Sequence, residues 1–344
     1  MYKTELKTFL EELGQPAFRA NQIFKWLHSG LVSFDDMTDI PKTLRETLKE
    51  KCYIADVKIV KRLASNLDET VKYLYELYDG EYIESVLMKY NHGYTVCVST
   101  QVGCRMGCSF CASGLNGLQR NLTASEILSQ IMAAERDNNI RVSNVVMMGM
   151  GEPLDNFDNS VRFLKLVSDD DGMNIGLRHI SLSTSGVVSG IYKLAELNLP
   201  ITLSISLHAP NDEIRNSIMP INKKWNVDAL IKACKDYQKI TTRRISFEYA
   251  LISGVTDTDT CALELSKKLK GIMSHINLIP INPVKENGFK KPQGNRIIHF
   301  KELLESKGIT ATIRRTLGAD INASCGQLRR KAKEDHKNAN IQQN

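Results

Sequence analysis

The spacing of apolar residues changes twice along this 344-residue chain. Residues 1–52 carry helical periods: Leu6, Phe9, Leu10 and Leu13 share one face. Gly14 and Pro16 interrupt that pattern, a second helix over 17–30 stops at Gly30, and a third over 41–52 begins at Pro41. Residues 57–98 alternate apolar and polar in four segments, with turns at 66–68, 79–80 and 91–93, which predicts an antiparallel meander. From Thr95 onward, strand patterns at 95–100, 143–149, 178–184, 201–207, 245–251, 275–279 and 311–316 interleave with helical patterns at 123–136, 156–168, 188–197, 227–240, 258–270 and 295–307. Repeated strand–helix units predict an α/β fold, a parallel sheet with helices outside it. In a barrel of such units, chemistry collects at the carboxyl ends of the strands. The expected parts are a helical accessory unit (1–56), an antiparallel segment joined to the barrel (57–94), the barrel (95–330), and a polar tail (331–344) whose lack of apolar periodicity predicts disorder.

Composition narrows the class. No run of 18 apolar residues occurs, so no membrane span is expected. The acidic N-terminus lacks the apolar core of a secretory signal. Eight cysteines without such a signal suit a reducing, cytoplasmic compartment and argue against a disulfide framework. The net charge is +6, and residues 285–333 hold twelve Lys/Arg against four Asp/Glu. That asymmetry suits a polyanionic partner, or is a solvated basic surface.

Candidate chemistry concentrates in CVSTQVGCRMGCSFC, residues 97–111. Cys104, Cys108 and Cys111 fall as C-x3-C-x2-C, with Cys97 seven residues upstream on a strand. Iron–sulfur clusters are normally held by four thiolates. Three on one tight loop would leave the fourth iron of a [4Fe–4S] cluster open to a small molecule. Structural zinc needs four ligands, usually as two pairs, and only Cys108 and Cys111 make such a pair, with His92 nearby. The stretch Gly149-Met150-Gly151-Glu152-Pro153 follows a strand but has leucine at 154, where a dinucleotide loop needs its third glycine. Small residues there let a ligand approach the backbone. Glu84 reads as an acid on an exposed strand face, Trp26 as core of the N-terminal unit, and His208 as a strand-end histidine satisfied by its neighbours. Cys325 lies in a Gly/Asn/Ser-rich stretch, exposed and available to react. Cys52, Cys234 and Cys261 read as small hydrophobes in or at the end of helices.

Seven ordered motifs carry a resemblance: CVSTQVGCRMGCSFCASG, RNLTASEI, GMGEPLDN, STSGVV, SLHAPNDEIR, NLIPINP and DINASCGQLR. They resemble the RlmN-type adenine-C2 RNA methyltransferases of the radical S-adenosylmethionine (SAM) superfamily, from about Arg19 to Arg330. The resemblance implies a partial (β/α)6 TIM-like barrel, a small N-terminal helical domain that helps bind RNA, and an antiparallel β extension. It implies one [4Fe–4S] cluster on Cys104, Cys108 and Cys111. It implies S-adenosylmethionine, two per turnover, held by Gly151, Glu152, Ser183, Ser206, Leu207, His208 and Asn282. It further implies a methyl group carried on Cys325, radical attack on the base, a covalent protein–RNA link, a proton passed to Glu84, and a transient disulfide from Cys97 to Cys325 that releases product. A radical is needed because adenine C2, between two ring nitrogens, is too electron-poor to displace a sulfonium methyl.

The substrates so implied are an adenine of the 23S rRNA peptidyl-transferase centre and an adenine beside some tRNA anticodons. The implied electron donor is a flavodoxin or ferredoxin, and the enzyme a cytoplasmic monomer with no membrane partner. A base within structured RNA must be extruded to reach such a site. Lys290, Lys291, Arg314, Arg315, Arg329 and Arg330 suit phosphate contacts. Three alternatives stay open: an adenine-C8 methyltransferase of the related antibiotic-resistance group, away from which Pro153 leans; an RNA-binding protein with a structural metal; and a radical activase of a protein, which gives no reason for Cys97 and Cys325.

Overall fold

The computed structural model describes residues 1–114, 117–281, 288–321 and 323. Helices α1 (Lys3–Glu12), α2 (Phe18–His28) and α3 (Lys42–Lys51) open the chain. Their apolar stripes put Leu6, Leu10, Ile23, Phe24, Leu44 and Leu48 into the same core as the sheet. Trp26 lies at the edge of that core, half-buried, its indole N–H donating to Asp39 Oδ1 at 2.5 Å.

Strands β1 (Lys58–Ala64), β2 (Val71–Glu76), β3 (Tyr82–Tyr90) and β4 (Gly93–Cys97) are antiparallel neighbours. A short ribbon of β5 (Gln101–Gly103) and β6 (Leu118–Asn121) brackets the cysteine loop. Then come α4 (Ala124–Asn138), β7 (Val142–Met147), α5 (Phe157–Val167), β8 (Ile180–Thr184), α6 (Val188–Glu196), β9 (Thr202–Ser206), α7 (Asp212–Ile218), α8 (Val227–Thr241), β10 (Ile245–Leu251), α9 (Asp259–Leu269), β11 (Ser274–Pro280), α10 (Gly294–Ser306) and β12 (Ala311–Ile313). Strands β4, β7, β8, β9, β10, β11 and β12 lie side by side and parallel. The meander continues the same sheet beyond β4, and β1 and β12 are its two ends. This is the expected partial barrel with its antiparallel extension.

Local chemistry sets the elements. At the start of α4, Thr123 Oγ1 accepts from the Glu126 N–H at 3.3 Å, and Glu126 Oε2 accepts from the Thr123 N–H at 2.9 Å, a reciprocal cap. The helix ends on Asn139 at φ 49°, a left-handed stop. In β10, Phe247, Tyr249, Ala250 and Leu251 are all buried, because a parallel strand is covered on both faces.

Two expectations change. The first barrel strand stops at Cys97 rather than running to 100, because the Thr100 and Gln101 N–H groups both turn to Met150 O, in the loop beyond β7. The last stops at Ile313. The β5–β6 ribbon and α7 were not expected, being too short to display a period. The 331–344 tail lies outside the described residues. Among the described residues no helix is long and apolar enough to cross a membrane.

Candidate active site at the carboxyl ends of the parallel strands

The loops after β4, β7, β8 and β9 carry the sequence-predicted residues. The cysteine loop leaves β5 through Gly103 and turns at Gly107, with φ of 80° and 68°. It is pinned at three points: the Cys104 N–H donates to Gly117 O at 3.1 Å, Ser109 to Ile218 O at 2.9 Å, and Cys111 to Cys108 O at 3.0 Å. Cys108 and Phe110 pack against an apolar cluster of Ala209, Ile218, Met219, Ile252 and Ile281. Burial first, then the neighbouring cysteines, push the Cys104 thiol up to about 12 and the Cys108 thiol higher still. Such thiols hold their protons until a metal draws them off. Among the described residues no three Cys, His, Asp or Glu side chains stand as a ready-made ion site. The fit to an iron–sulfur cluster rests on the donor chemistry: soft thiols of one loop, close enough to sense one another, in an apolar shell.

Gly149 and Gly151 let the loop after β7 press on the strand beside it. A Cβ on Gly149 would stand 2.6 Å from Val98 O; one on Gly151, at φ 105°, would stand 2.6 Å from the Gln101 Cβ. The Glu152 N–H donates to Gln101 Oε1 at 2.8 Å. The Glu152 carboxylate is buried. Its Oε2 accepts from the Ser185 N–H at 2.7 Å and Ser185 Oγ at 2.8 Å, and Oε1 accepts from the Leu154 N–H at 3.0 Å. Burial pushes its pKa up against these bonds. The Thr184 hydroxyl adds to these bonds, so the carboxylate is held by donors on every side.

Ser183 and Ser206 meet across β8 and β9 with hydroxyls 3.4 Å apart. Leu207 is buried. His208 takes φ 58°. Its Nδ1 accepts from the Ala250 N–H at 3.0 Å, and its ring meets Phe110 edge-on at 4.9 Å. Burial, and then the Arg215 charge, hold His208 down to about 3. It is therefore neutral, and with Nδ1 accepting, its proton lies on Nε2. Asn282 and Cys325 lie outside the described residues.

Arg215 is the residue the sequence reading missed. It is fully buried, and it donates from Nε to Leu207 O at 3.0 Å, to Asn222 Oδ1 at 3.0 Å, to Ser185 O at 2.6 Å and to Ser206 O at 3.2 Å. Burial lowers it to about 10, still charged at neutral pH. The signal was present: Arg215 falls between Ile214 and Ile218, at an inward position of the helical period.

Cys97 closes β4, flanked by Val86 of β3 and Val146 of β7. It is 6% exposed and sits in an apolar pocket with Val86 and Met88, against which Val146, Met148, Leu317 and Ala323 pack. The chain before Ala323 is fastened to the β1–β2 turn. The Gly318 N–H donates to Asp68 Oδ2 at 2.9 Å, and the Asp320 carboxylate accepts from Ser65 Oγ at 2.6 Å and the Asn66 N–H at 2.7 Å.

Glu84 corrects an expectation. It is fully buried, not exposed, and its carboxylate lies 3.1 Å from Lys72 Nζ, also fully buried. Strands β2 and β3 are covered on both faces, so alternation there does not mark a wet side. Cys234 and Cys261 are buried and Cys52 half-buried. His92 stacks on Tyr90 at 5.2 Å. Lys290, Lys291, Arg314 and Arg315 are exposed, while Arg329 and Arg330 lie outside the described residues.

Comparison with known proteins agrees with this geometry. The radical SAM superfamily profile matches residues 98–263. The ribosomal RNA large subunit methyltransferase N-terminal domain matches residues 1–54. The probable dual-specificity RNA methyltransferase RlmN of Alkaliphilus oremlandii is 54% identical over 327 residues, 95% of each chain. Its counterpart in Clostridium novyi is 53% identical over 327 residues, again 95% of each. The crystal structure of a radical SAM methyltransferase from Sphaerobacter thermophilus superposes with a TM-score of 0.92 at 44% identity, covering 95% of this chain and 97% of that one.

Proposed function

Because the chain belongs to the dual-specificity RNA methyltransferase RlmN family of radical SAM proteins, we propose that it methylates C2 of an adenine in 23S rRNA, and of an adenine in some tRNAs, using Cys325 and Cys97. The observation that carries this reading is the Cys97 pocket. A buried cysteine at the end of the first barrel strand shares it with Ala323, two residues before Cys325 in the chain.

When bound, the cluster and S-adenosylmethionine supply the methyl group and one-electron chemistry. The residues that hold them in this reading are Cys104, Cys108 and Cys111 for one cluster, and Gly151, Glu152, Ser183, Ser206, Leu207, His208 and Asn282 for a cofactor used twice per turnover. Glu152 puts a buried carboxylate, fixed by Ser185 and Leu154, toward the cofactor's ammonium, and His208 offers an Nε2–H donor. Cys325 carries the methyl carbon and becomes linked through it to C2. Glu84 takes the proton that C2 gives up, with the Lys72 ammonium beside it. Cys97 then attacks the Cys325 sulfur. A sulfur–sulfur bond forms, the sulfur–carbon bond to RNA breaks, and its electron pair stays on the carbon, which takes a proton to become methyl.

The same reading takes 1–56 as an RNA-binding accessory unit, 57–94 as the joining segment and 95–330 as the catalytic barrel. Its electron donor is a flavodoxin or ferredoxin, and it works as a cytoplasmic monomer. The test is nucleoside mass spectrometry after anaerobic reconstitution with iron and sulfide and incubation with S-adenosylmethionine, reductant and protein-free, unmodified 23S rRNA. The expected product is 2-methyladenosine. Finding 8-methyladenosine would move the chemistry to C8. Finding neither with an intact cluster would contradict the reading.

A further inference from the structure

Two tyrosines stand bare at the rim of the catalytic face. Tyr53 follows α3 and is 66% exposed; Tyr78, in the turn between β2 and β3, is 75% exposed. Their rings lie 5.5 Å apart, tilted by 40°. Strand register places them. Val86 of β3 pairs with Cys97 at the carboxyl end of β4, while Tyr82 at the start of β3 pairs with Glu76. The β2–β3 hairpin therefore runs on past the strand end from which the cysteine loop departs. Arg120 of β6, the strand that follows that loop, lies 5.9 Å from the centre of the Tyr78 ring. It donates to Asp79 at 2.6 Å and to both carboxylate oxygens of Glu126. The N-terminal unit, the meander and the cysteine-loop ribbon thus meet at one aromatic pair.

Single exposed apolar side chains are ordinary. Two adjacent rings, one backed by a fixed arginine, form a surface. The carboxylates around it are matched to cations: Asp79 to Arg120, Glu76 to Lys58 at 3.1 Å, and Asp56 to Arg136 at 3.0 Å. Arg120 is a strut locked between two acids rather than a phosphate clamp. What remains on offer is π-surface, on which unpaired bases stack whatever their identity. An extruded adenine leaves its neighbours unstacked, and an exposed aromatic ring replaces the lost stacking.

We infer that Tyr53 and Tyr78 form a stacking platform for an unpaired nucleotide of the RNA, next to the base presented to the cysteine loop. The inference rests on RNA being the substrate. The test compares wild type with Tyr53→Ala, Tyr78→Ala and the Tyr53→Phe/Tyr78→Phe double variant. Fluorescence anisotropy at several salt concentrations reads binding to single-stranded oligoadenylate and to an A-form RNA duplex of equal length. Methylation of 23S rRNA is followed alongside. Each alanine is expected to weaken single-strand binding about 10-fold, with duplex binding unchanged, the phenylalanine pair near wild type, and the salt slope unaltered because no phosphate contact is lost. For rRNA, KM is expected to rise more than kcat falls. Equal losses on duplex and single strand, or no loss at all, overturn the platform. A wild type that binds and methylates rRNA while the alanine variants match it defeats the platform alone. A wild type that neither binds nor methylates RNA defeats the RNA reading, and the platform with it.

Discussion

Two regions of this molecule bury charge, and they do so in different ways. In the meander, Lys72 and Glu84 sit on neighbouring strands with no exposure and neutralise each other at 3.1 Å. At the barrel mouth, Arg215 and Glu152 are as deeply buried, but each is solvated by hydrogen-bonding groups instead of by an opposite charge. Arg215 donates to three strand-end carbonyls and Asn222, while Glu152 accepts from two backbone N–H groups and a hydroxyl. Ser185 serves both, its N–H and hydroxyl on Glu152 and its carbonyl on Arg215. A charge cancelled by a partner exerts little field beyond the pair. A charge held by dipoles keeps a field that an incoming ligand feels, at a fixed position. The first arrangement ties two strands of the meander together, and the second leaves a directed field at the barrel mouth.

Substitutions sharpen this contrast in order of size. Arg215→Met leaves four buried acceptors without their donor, and urea unfolding is expected to show a loss of about 5 kcal/mol. A loss under about 1 kcal/mol would mean that the carbonyls find other partners. Lys72→Met strands the Glu84 charge in the interior and is expected to cost about 4 kcal/mol. Adding Glu84→Gln should restore most of it, and a double variant no better than the single would show that charge does not couple the two.

His28 is the counter-case, a half-buried ring whose inner nitrogen no hydrogen bond serves. Its Nδ1 has no hydrogen-bond partner, its ring lies 4.2 Å from Phe24, and a Cβ on Gly172 would stand 2.7 Å from it. Burial holds it down to about 4, from 6.5. The unfolded chain binds a proton below pH 6.5 and the folded one only near pH 4, so acidification through that window favours unfolding. Between pH 7 and 5 this amounts to about 2 kcal/mol, a component that His28→Gln should lack. Parallel stability curves for the two proteins would contradict it. Thr123→Ala, which removes a neutral cap while Arg120 still holds Glu126, is the smallest step, about 1 kcal/mol by thermal unfolding.

Legibility follows the same divide. Residues 245–251 read as a strand and fold as β10 with those bounds, because a long apolar run between turns has few other solutions. The cysteine loop, the Gly151-Glu152 loop and the Ser206–His208 stretch were readable from motif order, and parallel topology carries all three to one end of the sheet. Lys72, Glu84 and Arg215 were not read as buried. Alternation tells which side chains share a face, not whether that face is wet, and an arginine reads as surface until its acceptors are known. The Cys97 pocket was beyond reach for another reason. Leu317 and Ala323 come to it from the far end of the chain, along a segment fastened by Asp68 and Asp320, and no local pattern encodes such a contact.

If Cys97 resolves a covalent Cys325–RNA link, its removal must strand that link. Reconstituted Cys97→Ala would be incubated with unmodified 23S rRNA, S-adenosylmethionine and reductant, digested with nuclease, and weighed by intact-protein and peptide mass spectrometry. The expected result is protein carrying a nucleotide remnant on the peptide that contains Cys325, little released methylated adenosine, and no such species in Cys97→Ala/Cys325→Ala. Wild-type turnover by Cys97→Ala, with no adduct at any time point, would contradict it.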